Sequence, residues 1–228
     1  MNSLKISKRL EAAASFARQG VRIADIGTDH AYLPIYLFTN GVVRGGVAAD
    51  INQGPVERAR INLRRYGADS AVCTLCTDGL HGVEEYSPDD IFILGMGGEL
   101  IVKILSEAEW ITSGHRLVLQ PMTHPEILRK YLYSSGFSII DEKLVEEDKI
   151  YQIICAEYTG EKREADRWEL VFGAINIKRG GELFESLLTR TRKVYAERIK
   201  GKALSGADAF EEISFVEGID LLLKGEQK

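Results

Sequence analysis

The chain is poor in the features that mark disulfide-stapled, metal-built or membrane-spanning proteins. Among its 228 residues there are only three cysteines and five prolines. An odd, small number of thiols excludes a full disulfide framework. The pair Cys73-x-x-Cys76 has the spacing of a chelating or redox dithiol. No second Cys or His pair lies nearby to complete a tetrahedral site, and all three thiols are expected in the core. The four histidines, His30, His81, His115 and His124, have no partners at metal-ligand spacing, so no metal is expected. No apolar run approaches the roughly 18 residues a membrane span needs. The N-terminal stretch MNSLKISKRLEAAASFARQG is charged and lacks the continuous apolar segment of a secretory signal. A cytoplasmic protein without a membrane partner is expected. Also missing are a phosphate-cradling GxxxxGK[ST] loop and a Ser-His-Asp nucleophile set.

What is present belongs to a globular protein: 45% hydrophobic and 28% charged residues, with a net charge of −5. The net charge argues mildly against a polyanionic partner, but its distribution is uneven. Lys178, Arg179, Arg190, Arg192, Lys193, Arg198, Lys200 and Lys202 face only Glu182, Glu185 and Glu197 over residues 178–202. Arg58, Arg60, Arg64 and Arg65 cluster in VERARINLRR, and Lys5, Lys8, Arg9 and Arg18 near the N-terminus. Each cluster alone reads as a solvated helix face. Three on an acidic chain keep a nucleic acid open as partner.

Periodicity predicts an amphipathic helix over 3–19 and then alternating strands and helices. VRIADIG, GGVAADI, AVCTLCTDGL, DDIFILGMGG and HRLVLQP read as five buried strands. AYLPIYLFTNG, GPVERARINLRRYG, ELIVKILSEAEWI and PEILRKYLYSSG read as helices among them. FSIIDEKLVEED and KIYQIICAEYTG follow with no helix between, so they are expected to pair antiparallel at one edge. A doubly wound α/β sheet ending in that hairpin is the Rossmann-like, seven-stranded architecture of class I methyltransferases. From about Glu161 the β texture stops. Phe184, Leu187, Leu188, Val194 and Tyr195, then Phe210, Ile213, Val216 and Ile219, recur at helical spacing, which predicts an antiparallel helical hairpin. The expected domains are 1–160 and 161–228.

In such a sheet ligands bind beyond the C-terminal strand ends, so the loops there carry the chemistry. ADIGTDHAYLP looks like a dinucleotide fingerprint with glycines removed: Asp29 and Ala31 stand where the second and third Gly would be. A dinucleotide needs those glycines for its pyrophosphate, which Asp29 would repel. Gly27 permits close backbone approach, and amides at the next helix start could meet a carboxylate. Strand two ends in Asp50, placed to accept from ribose hydroxyls, and strand three in Thr77-Asp78-Gly79, whose acid could take an exocyclic amine. The fourth ends in Gly95-Met96-Gly97-Gly98, where missing side chains leave room for a second ligand. This set fits S-adenosyl-L-methionine, a sulfonium without phosphate, better than NAD. The expected cofactor shell is Asp25, Gly27, Thr28, Asp50, Ile51, Asp78, Gly79, Gly95 and Met96.

DIGTDHAYLP, followed by AAD, INQGP, TDGL, ILGMGG and LVLQPM, closely resembles the bacterial TrmK family of tRNA (adenine(22)-N(1))-methyltransferases. The likeness runs in motif order from about Leu4 to Tyr158 and continues as architecture through the basic tail. It implies a Rossmann-like catalytic domain, a coiled-coil-like helical domain, S-adenosylmethionine as cofactor and tRNA as substrate. Methylating adenine N1 makes the base cationic, so a carboxylate near the base would stabilise the developing charge. Asp29 suits that role; its alternative is a helix N-cap. His30 could orient Asp29 and Tyr32 could stack on the base, with structural packing as the alternative for each. Gly97, Gly98, Gln120 and Pro121 would line the base site, and Arg58, Arg64, Arg190, Arg192 and Lys193 would follow phosphates. A monomer is expected. Methylation of a small molecule, a non-catalytic RNA- or protein-binding module and an NAD oxidoreductase stand as alternatives.

Overall fold

A computed structural model describes residues 4–224. Its strands are β1 (Arg22–Ile26), β2 (Gly45–Asp50), β3 (Val72–Cys76), β4 (Asp90–Met96), β5 (Arg116–Pro121), β6 (Phe137–Glu146) and β7 (Ile150–Tyr158). They form one sheet in the order β3-β2-β1-β4-β5-β7-β6. The first five run parallel, and β7 is antiparallel to both β5 and β6. Strand order reverses between β1 and β4, and the loops that leave these two strands face each other across that point.

Alternation along the central strands sends neighbouring side chains to opposite faces. On β4, Ile91 and Ile93 join one core while Phe92 joins the other. The first core is closed by α4 (Gly98–Ser106) and α5 (Pro125–Ser134) through Ile101, Leu105, Leu128 and Leu132. The second is closed by α1 (Lys8–Ala14) and α2 (Tyr32–Thr39) through Ala13, Leu33 and Leu37. The helix α3 (Gln53–Arg65) lays Ala59 and Leu63 against the β2 side. Both faces being covered explains why these strands read as continuous apolar runs.

Two expectations need correction here. The N-terminal helix is seven residues long, not seventeen. Ser7 caps its start, and beyond Ser15 the chain turns away so that Arg18 can bond the buried carboxylate of Asp90 at 2.6 Å. Ser3 lies outside the described residues. Cys73 and Cys76 are exposed rather than in the core, and only Cys155 is buried. They lie on β3, the edge strand of the sheet, which pairs on one side only, with β2.

The chain packs as two units, 1–175 and 176–228. The first therefore extends past the last strand to include α6 (Arg167–Phe172). Its anchor is Arg129 on α5, wholly buried with Glu142. The guanidinium donates to Glu142 Oε1 (2.7 Å), to Gln152 Oε1 (2.7 Å) and to the carbonyls of Leu170 (2.9 Å) and Val171 (3.2 Å). Glu142 Oε2 accepts from the Ile175 amide at 3.2 Å. Gly173 is required where the strap crosses this pair: its φ is +87°, and a Cβ would sit 2.2 Å from the carboxylate oxygens. After α7 (Ala174–Arg179), α8 (Glu182–Ser205) and α9 (Phe210–Leu223) form an antiparallel hairpin in the second unit, turned at Gly206. The rings of Tyr195 and Phe215 meet at 4.8 Å, and Arg192 pairs with Asp220 and Lys202 with Glu212.

Candidate active site

The loop after β1 builds the site. Gly27 (φ +77°) turns the chain, and the amides of Gly27 and Thr28 both donate to the carbonyl of Ala49 on β2. The Thr28 hydroxyl then accepts from the Ala31 amide, and Ala31, with φ +54°, begins α2 without a side-chain cap. Asp29 is thus not the cap of α2. Its carboxylate is held sideways by Arg58 of α3, whose Nε lies 3.0 Å from Oδ1, and by His30 Nε2, 3.1 Å from Oδ2. Asn62, one helical turn further on α3, donates to the His30 carbonyl at 3.1 Å. The His30 ring stacks on Tyr32 at 5.0 Å and 13°. Asp29, His30 and Tyr32 come together as one polar and aromatic edge.

A cleft of about 210 Å³ opens on this edge, lined among others by Arg9, Asp25, Gly27, Asp29, His30, Tyr32 and Leu94. Asp25, at the end of β1, is the buried acid of the cleft. Burial pushes its carboxyl up to about 6; the Thr28 hydroxyl bond works against that rise, and the nearby Asp50 adds to it. Asp50 Oδ1 accepts from the Asn52 amide at 2.7 Å, which fixes that carboxylate at the end of β2. Asp78 and Gly79 follow β3 in an exposed turn, with Gly79 at φ +57°. Ile51 is 60% exposed, an apolar side chain held in the open beside Asp50.

Other expected residues fall differently. Gly97 and Gly98 leave no room for a second ligand, because the Thr123–His124 turn fills their space. A Cβ on Gly98 would lie 2.3 Å from the His124 carbonyl, and one on Gly97 3.1 Å from the Thr123 hydroxyl. Gln120 is fully buried, with its amide occupied by Arg9 Nη1 (2.7 Å) and Met122 Sδ (3.1 Å), so it does not offer that amide to a base. Pro121 is buried as the last residue of β5. Arg58 is engaged with Asp29, whereas Arg64 is exposed on the last turn of α3. Arg190, Arg192 and Lys193 are exposed on α8, with Arg192 committed to Asp220. Sequence reasoning missed Arg9 in the cleft: in SKRLEAAA it is one of several basic residues, and nothing in the spacing marks it as inward. No group of three or more His, Cys, Asp or Glu side chains fit to hold a metal occurs among the described residues.

A reversed edge hairpin on a parallel sheet, with carboxylates at the ends of its first strands and no pyrophosphate cradle, defines a class I methyltransferase fold. Accordingly, residues 6–154 match the family model described as a methyltransferase domain. The tRNA (adenine(22)-N(1))-methyltransferase of Bacillus subtilis is 40% identical over 159 residues, spanning 69% of this chain and 67% of that protein. The crystal structure of the B. subtilis M1A22 tRNA methyltransferase TrmK superposes with a TM-score of 0.82 at 31% identity, covering 97% of each chain. Streptococcus pneumoniae Sp1610, in complex with S-adenosyl-L-methionine, gives 0.85 at 30% identity over 94% of this chain and 99% of that one. The chain belongs to the TrmK family.

Proposed function

We propose that this protein is an S-adenosylmethionine-dependent methyltransferase that modifies N1 of adenine 22 in tRNA. The observation that carries the reading is the acid-lined cleft at the β1 turn, in which Asp29 is released from any capping duty. The donor set fits the cofactor. Asp25 and Asp50 repel each other across a desolvated site, a strain that a cationic sulfonium ligand relieves. Asp50 and Asp78 suit ribose hydroxyls and an exocyclic amine, while Asp29 and Ala31 replace the glycines a diphosphate requires. When bound, S-adenosylmethionine supplies a methyl group on sulfur, and its transfer leaves a neutral thioether.

The chain's residues need not remove a proton, since adenine N1 carries a lone pair. Their work is alignment and electrostatics. Asp29 offers a carboxylate beside the base as it becomes cationic, and can also accept from its exocyclic amine. Arg58 and His30 fix the rotamer of Asp29, a second role for Arg58 beyond phosphate contact. Tyr32, 39% exposed and stacked on His30, offers an aromatic surface for the extruded base. The exposed Arg64, Arg190 and Lys193 supply charge for the RNA backbone. The same reading has a monomer acting in the cytoplasm, where tRNA resides; light scattering checks the first point.

Incubation with bulk tRNA and labelled cofactor, followed by nucleoside analysis, should yield 1-methyladenosine at position 22. Asp29→Ala should lower kcat/KM by about 10²–10³-fold with cofactor affinity kept. Transfer to a small molecule but not to tRNA would overturn the substrate, and full activity of Asp29→Ala would remove that residue from the mechanism.

A further inference from the structure

The contacts around His30 fix which of its ring nitrogens carries the proton. On its own loop, Asp29 Oδ2 lies 3.1 Å from Nε2, and Tyr32 stacks on the ring at 5.0 Å. On α3, Arg58 and Asn62 are four residues apart and so share one side of the helix. Arg58 holds Asp29 Oδ1, while the side-chain amide of Asn62 meets His30 twice. Its Nδ2 is 3.1 Å from the His30 carbonyl oxygen and 3.5 Å from Nδ1. The other charged groups of the cleft are Asp25 on β1 and Arg9 on α1.

A backbone carbonyl only accepts, so the end of the Asn62 amide that faces it must be the NH2. The same NH2 therefore faces Nδ1, where a second N–H would set two donors against each other. Nδ1 is thus the bare nitrogen, and Nε2 carries the proton that it donates to Asp29. Asp29 by itself pulls the ring the other way, because a carboxylate beside an imidazole favours the doubly protonated cation. Arg58 is already a counter-ion to Asp29. A cationic His30 would add a second and leave little negative charge to face a base that becomes positive.

Resting on the methyltransferase reading, we propose that Asn62 is a positioning residue that keeps His30 neutral as an Nε2–H donor. Asp29 is then oriented by two groups but charge-compensated by only one. Asn62 acts entirely through His30.

Two readouts test this in wild type, Asn62→Ala and the isosteric Asn62→Asp. Heteronuclear NMR of the histidine rings in the ligand-free protein follows protonation directly, with the His30 signals identified by their loss in His30→Gln. The wild-type ring should show a bare Nδ1 at alkaline pH. Asn62→Ala should let the second proton bind about half a pH unit higher. Asn62→Asp, which sets an acceptor against Nδ1, should move it further the same way. With cofactor and tRNA saturating, the ratio of Asn62→Ala to wild-type kcat should fall about threefold from about pH 8.5 to about pH 5.5. Taking the ratio cancels the titration of Asp25, which both proteins share. A loss of kcat equal at every pH, with the His30 titration unmoved, would overturn the proposal and leave Asn62 a prop for the loop. A shifted titration with a flat kcat ratio would also overturn it, by separating the ring's charge from catalysis. A proton on Nδ1 of the neutral wild-type ring would overturn it without any variant. No 1-methyladenosine from the wild type at any pH would instead remove the methyltransferase reading, while the ring titration would still decide how Asn62 acts on His30.

Discussion

Asp25 shows how a single buried carboxyl ties ligand binding to stability. Its ordinary value of 3.8 is raised to about 6 in the fold, chiefly by burial. The folded chain therefore holds this proton where the unfolded chain has released it, and stability falls as pH rises from about 4 through 6. Asp25→Asn should consequently raise the ligand-free melting temperature at pH 7.5, by up to roughly 3 kcal/mol of stability. The gain should vanish below about pH 4, as thermal denaturation across pH would reveal. The same variant should bind cofactor less tightly, because it loses the anion that offsets the sulfonium. Sequence alone made Asp25, Gly27 and Asp50 legible, since strand ends followed by Gly or Asp are local patterns. Arg9 was not legible, because its importance comes from Gln120, 111 residues away. Asp29 was legible as an anomaly, but its partner Arg58 looked like one more surface cation.

At the scale of elements, the sheet and its helices were readable almost throughout, because parallel strands covered on both faces leave apolar runs with sharp ends. What spacing could not give was how tightly turns pack. Gly97 and Gly98 read as open space, whereas the turn after β5 occupies it. Gly98→Ala should thus cost about 1–3 kcal/mol in urea denaturation, while Gly54→Ala on α3, whose Cβ would meet only Arg58 Nη1 at 3.6 Å, should be tolerated. The basic face of α8 was equally plain in sequence, but the acids of α9 that answer it were not. Arg192 and Asp220 are both partly exposed, and breaking such a pair costs little stability. Charge reversal of Arg190, Arg192 and Lys193 together should therefore leave the melting temperature nearly unchanged. It should weaken tRNA binding and flatten its dependence on salt, measured by filter binding over a salt series.

At the scale of the whole molecule, the change of texture near Glu161 marked the end of the sheet but not the end of its packing unit. A truncation ending at Ile175 should fold and bind S-adenosylhomocysteine. One ending at Gly160 should be less stable by roughly 3–5 kcal/mol in urea. It removes the Leu170 and Val171 carbonyls and the Ile175 amide from a pair with no access to water. Nothing in FGAINI announced that role, because the ion pair it closes joins α5 to β6 and only its position over Gly173 is encoded there. The strap also orders events during synthesis. A nascent chain that has released all seven strands from the ribosome still holds a guanidinium and a carboxylate without their last partners. The enzyme's sheet can close fully only when the seventeen residues from Thr159 to Ile175, beyond the point where its β structure is complete, have cleared the exit tunnel.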